Sequence, residues 1–201
     1  NDVANVSAVR AAIGEGVYIG VDFSQSLQMV GFRADTAIVH IRALEKAGAN
    51  AFEQPVANWD IEGLARISAA IDSPIIADEA VRTPQDALRI VDRRAADAVK
   101  IKLMKVGGIL PARKIAAILQ AAGIPMTVGN GLAGCVANSA EAHFAFSIPN
   151  LKLPGEMNGF IRLEDDLFSG DLRAEGGDLV RPTSPGLGVT ASLDKIISLA
   201  A

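Results

Sequence analysis

Short apolar runs alternate with amphipathic stretches along most of the chain. Val17–Val21, Ala49–Phe52, Pro74–Ala77, Ala98–Leu103 and Pro125–Val128 read as buried strands. Between them the apolar spacing changes to that of a helix. Asp35–Lys46 carries Ile38, Ile41 and Leu44 and stops at Gly48. Helices are also predicted over Val3–Ile13, Ile61–Ile71, Pro111–Ala122 and Val136–Ser147. Thr83-Pro84 reads as a cap followed by proline at the first helical position, opening Gln85–Arg93. Gly107-Gly108 turns the chain, and Lys152–Pro154 makes a last short strand.

Strands that alternate with helices imply an α/β fold with a parallel sheet. The strand ends recur at about 25 to 30 residues, the length of one unit in a (β/α) TIM-type barrel. The pattern supplies six such units, whereas a closed barrel needs eight. The expectation is a partial barrel of one domain, residues 1–201, beginning partway through a larger protein. Residues 170–201 form a Gly- and Pro-rich tail within it (GDLVRPTSPGLGV).

Composition narrows the partners. The net charge is −4 and aromatics are 4% of residues, with no basic stripe, which argues against nucleic acid. No apolar run is long enough to span a bilayer, and no leader is visible at the first residues. Cys135 is the single cysteine, which excludes an internal disulfide and fits a reducing cytoplasm.

Three acids each close a predicted strand: Asp22 in GVDFSQS, Glu53 in FEQP and Asp78 in IADEA. One acid alone reads equally well as a helix cap. Three in consecutive units converge on one barrel mouth, where a divalent cation would relieve their repulsion. Hard oxygen ligands suit Mg²⁺, with Mn²⁺ as a substitute. Lys102, at the end of the next strand, is placed to move a proton. Alternation puts Lys100 on the same face one layer deeper, where it must reach an acid. Glu79 faces the other way and either orients a ligand or lysine from behind or opens the helix. Lys105 lies beyond the strand and reads as a solvated or structural charge. His40 and His143 read as packed structure, and Cys135 lacks the neighbours of a nucleophile. The glycines of VGNGLAGC, Gly129, Gly131 and Gly134, suggest close approach of a ligand or of the next helix.

The segments VDFSQS, FEQP, IADEA and KIKLMKVGG together resemble the C-terminal barrel of the enolase superfamily, in its muconate-lactonizing subgroup. The resemblance implies Mg²⁺ on Asp22, Glu53 and Asp78, with Lys102 as an acid/base. It also implies that Glu156 supports the substrate or enolate, although a plain loop acid is the alternative there. Ser24 stands where many relatives carry asparagine, and VGNGLAGC lacks an acid that some relatives have. The family's lysine pair on an earlier strand and its N-terminal capping domain would lie before Asn1. This chain alone is therefore expected to be inactive. The implied activity is removal of a proton α to a carboxylate through an enediolate, giving cycloisomerisation, racemisation or epimerisation of a small carboxylate in a homo-oligomer. Alternatives are dehydration of a hydroxy acid or hydroxyproline-type substrate, a non-catalytic metal-binding barrel, and an unrelated lyase with Lys102 as a Schiff-base lysine.

Overall fold

The computed structural model describes residues 2–29, 33–149, 151 and 153–200. In chain order its elements begin α1 (Asp2–Ile13), β1 (Gly20–Asp22), α2 (Ser26–Met29), α3 (Ala34–Lys46), β2 (Ala51–Glu53) and α4 (Ile61–Ala70). There follow β3 (Ile75–Ala77), α5 (Pro84–Arg93), β4 (Ala98–Ile101), α6 (Leu103–Val106), α7 (Ile109–Ala121) and β5 (Met126–Val128). The remainder is α8 (Cys135–Phe146), α9 (Gly159–Arg162), β6 (Phe168–Gly170), β7 (Arg173–Glu175), β8 (Asp178–Val180), β9 (Val189–Ala191) and α10 (Leu193–Ala200). Strands β1 to β4 lie in chain order in one sheet.

Two compact units divide the chain. The first comprises Asn1–Lys100 and Ala117–Pro125. Its strands pair in parallel, with Asp22 abreast of Glu53, Glu53 abreast of Ile76, and Ala77 abreast of Val99. Every residue of β2 and of β4 is buried, as expected for parallel strands covered on both faces. Helices α3, α4 and α5 direct Ile41, Leu64, Ile67 and Ile90 inward, all fully buried. Phe52 of β2 stacks on Phe23 with centroids 6.3 Å apart. Gly48 ends α3 with φ +104°, and α5 opens with a reciprocal Thr83–Asp86 capping box and Pro84 in its first turn.

One buried charge holds this unit's N-terminal side. The Arg10 guanidinium, 8% exposed, donates to Gly48 O, Gly14 O, Val17 O and Asn50 Oδ1 at 2.6 to 3.2 Å. Asn50 Oδ1 in turn accepts from Ile19 N at 2.8 Å, on the approach to β1. The end of α3, the start of β2 and the start of β1 thus share one side chain. Arg10→Ala is expected to lower unfolding free energy by about 3 kcal/mol, read by urea denaturation, because several buried carbonyls lose their donor together.

The second unit comprises Ile101–Ala116 and Met126–Ala201. Gly129 N donates to Ile101 O at 3.0 Å, and Glu156 N donates to Val128 O at 2.9 Å. Val128, Ala142 and Phe144 are buried here. Asp166 caps α8 from a distant loop, accepting from Cys135 N at 2.6 Å.

Several boundaries differ from the sequence reading. The first strand is Gly20–Asp22 rather than Val17–Val21, and Val17 and Tyr18 are exposed. Strand β4 ends at Ile101, one residue before Lys102, because the chain turns there into the short helix α6. The expected strand Lys152–Pro154 includes Lys152, which lies outside the described residues. The pairing found nearby is an isolated parallel bridge between Gly129 and Glu156. The tail is more regular than its composition suggests. It forms two antiparallel pairs, β6 with β9 and β7 with β8, followed by α10.

Candidate active site

In the first unit the strand ends gather charge. Asp22 is the last residue of β1, Glu53 the last of β2, and Asp78 immediately follows β3. Asp78 and Glu53 are buried at 1% and 6% exposure, whereas Asp22 is exposed. Asp22 Oδ1 accepts from Ser24 N at 2.7 Å and from Ser24 Oγ at 3.0 Å. Lys100, 3% exposed, places Nζ 2.5 Å from Glu53 Oε2. The interior lysine therefore does reach an acid. Burial pushes Glu53 up to about 7; Lys100 opposes the rise, while the charges of Asp22 and Asp78 add to it.

These residues suit a hard cation in chemistry, though no cage stands ready. Among the described residues, no three His, Cys, Asp or Glu side chains lie close enough together to hold an ion. Glu53 Oε1 is nevertheless buried without a hydrogen bond. A carboxylate oxygen shut away from water and left unpaired is costly unless something positive meets it. Asp22, Glu53 and Asp78 offer only oxygen donors, which fits Mg²⁺ or Mn²⁺.

Gln54, which the sequence reading did not single out, fastens the strand ends together. Its side chain is fully buried. Its Oε1 accepts from Asp78 N at 2.9 Å and Ala80 N at 3.1 Å, and its Nε2 donates to Val56 O at 2.8 Å. Its backbone carbonyl accepts from Gln25 N at 2.8 Å. Gln54 has φ +37°, and Ser24 and Gln25 have φ +45° and +69°. Left-handed backbone at non-glycine residues is strained, and here it falls within three residues after two of the three acids. The only prior signal was a polar residue between a strand-end acid and proline. Glu79 is half-buried beside Asp78.

The second unit holds the remaining candidates. Lys102 is half-buried and extended (φ −118°, ψ 121°), at the N-terminal boundary of α6. Glu156 is exposed on the bridge to Gly129. Gly131 leaves room for the Met104 thioether, and Gly134 for Asp166, so these two glycines serve close approach of side chains. Burial pushes the Cys135 thiol up, which leaves it protonated and a poor nucleophile. His143 is half-buried on α8.

A parallel α/β sheet with acids at successive strand ends is an arrangement typical of barrel enzymes. Among these, the chain belongs to the enolase C-terminal domain-like family, whose model matches residues 1–195. It is 36% identical over 190 residues to the L-Ala-D/L-Glu epimerase of Bacillus subtilis, covering 94% of this chain and 50% of that protein. It is 32% identical to muconate cycloisomerase 1 of Rhodococcus opacus, covering 88% and 50%. The solved structure of a substrate-liganded complex of the B. subtilis epimerase superposes with a TM-score of 0.86 at 35% identity, over 94% of this chain and 52% of that one. That of the N-succinyl Arg/Lys racemase of Bacillus cereus gives 0.88 at 32% identity, over 98% and 52%. The chain thus spans about half the length of these relatives. It belongs to a family of enzymes, and the relatives named are isomerases. Among the described residues no helix is long and apolar enough to cross a membrane.

Proposed function

We propose that the complete protein is a divalent-cation-dependent isomerase that moves a proton α to the carboxylate of a small substrate. The observation that carries this reading is the Glu53 carboxylate, buried at a strand end with Oε1 unpaired and the charges of Asp22 and Asp78 acting on it. Asp22, Glu53 and Asp78 would hold Mg²⁺. When bound, the ion supplies positive charge against the negative charge that develops on the substrate carboxylate as the α-proton leaves. Lys102 then exchanges that proton from one face. Lys100 neutralises Glu53 from within the barrel wall, and Gln54 keeps the backbone of Asp78 in register with Glu53. Glu156 supports the substrate, and Glu79 orients the ligand beside it. The relatives' names support epimerase, racemase or cycloisomerase chemistry.

The test incubates the full-length protein in D₂O with Mg²⁺ and a panel of dipeptides, N-acyl amino acids, proline derivatives and lactones. Loss of the α-proton signal by NMR that depends on Mg²⁺ is expected, and the product names the branch. Metal binding by calorimetry with no exchange across the panel would instead favour a binding barrel.

A further inference from the structure

The proposed reaction leaves one buried acid without a task. Glu141 lies on α8, an alanine-rich helix, and is 1% exposed. A fully buried glutamate is rare because ionisation there is costly. Glu141 Oε2 accepts from Asn138 Nδ2 at 3.0 Å, and Asn138 is itself fully buried. The residue lines a cavity of about 590 Å³ whose other walls include Leu103, Met104, Leu110 and Ala137. Leu103 directly follows Lys102, and α6 packs against α8. The loop from Gly129 to Gly134 contains no acid, so the carboxylate on this side comes from the helix.

We propose that Glu141 is the positioning residue for Lys102: from inside α8 its carboxylate holds the amine in place and sets its affinity for the proton. The inference rests on the role given to Lys102 above. A lysine that exchanges a substrate proton must alternate between ammonium and amine, and a fixed negative charge nearby favours the ammonium. The electrostatics of Glu141 run in the same direction. Burial pushes Glu141 up to about 7, opposed by Asn138, by the Asn130 amide and by the charge of Lys102. Asn130 Nδ2 is buried with no hydrogen bond of its own and is close enough to act on Glu141. Among elements packed on α8, β6 and β9 carry no charged residue, α9 carries the exposed Arg162 and α6 carries Lys105. The charge that acts on Glu141 is that of Lys102.

The experiment reads the proton affinity of Lys102 without requiring turnover. The full-length protein is labelled with trace acetic anhydride across pH, and Lys102 acetylation is quantified by mass spectrometry. In Glu141→Gln the labelling midpoint of Lys102 is expected to fall by about one pH unit, while that of Lys114 stays put. Glu141→Asp, which keeps the charge but withdraws it by one methylene, is expected to shift the midpoint less. Should Glu141→Gln fail to fold, Glu141→Asp alone carries the test. An unchanged Lys102 midpoint in the folded variant overturns the proposal. Loss of proton exchange in Lys102→Ala, with no midpoint shift in the Glu141 variants, would sink this inference and spare the reading of Lys102. Retained exchange in Lys102→Ala would sink that reading, and with it the role proposed for Glu141.

Discussion

A Lys102→Ala variant of the full-length protein is expected to exchange the substrate α-proton about three orders of magnitude more slowly than the parent, the usual loss on removing a positioned acid/base. Mg²⁺ affinity by calorimetry is expected to stay within error, and the variant is expected to stay folded. The separation follows from where the residue sits. Lys102 follows the last residue of β4 and makes no side-chain cap to α6. It is half-buried, so truncation opens no enclosed cavity. Lys100, two residues earlier, is the contrasting case. It is 3% exposed and bonded to Glu53, so its loss strikes stability and the metal site together. An alanine variant at Lys102 that retains full exchange on both enantiomers would remove it from the reaction.

Most strand ends were legible because a parallel strand is short, apolar and ended abruptly by polar chemistry. Asp22, Glu53 and Asp78 stand at the ends of β1, β2 and β3 for that reason. The Thr83-Pro84 start of α5 and the Gly48 stop of α3 were equally readable, since both depend on local backbone chemistry. Tertiary context hid the rest. Gln54 looks like an ordinary polar residue until its amide is seen accepting from Asp78 N and Ala80 N. Glu141 occupies a helix where a glutamate is unremarkable, and only the packing of α8 shows that its polar side is buried. In the tail, glycine and proline content masked a hairpin signal at Gly176-Gly177, where β7 turns into β8, and the amphipathic run of α10.

Glu53→Gln is expected to abolish Mg²⁺ binding up to millimolar concentrations and to reduce proton exchange to background, a loss of at least about 10³-fold. Its second effect is structural. Lys100 Nζ sits 2.5 Å from Glu53 Oε2, both side chains buried. Glutamine keeps the shape but removes the charge that faces the ammonium, and breaking a buried pair from one side costs about 3 kcal/mol. Urea denaturation of the metal-free protein reads that cost. A double variant, Glu53→Gln with Lys100→Met, removes both charges and is expected to regain most of the lost stability, because an apolar side chain tolerates the buried position. It is not expected to regain Mg²⁺ binding. The two readouts therefore part company: stability follows the Glu53–Lys100 pair, whereas metal binding follows the carboxylate alone. Mg²⁺ that still raised the unfolding temperature of either variant as it does the parent's would place the ion somewhere other than Glu53.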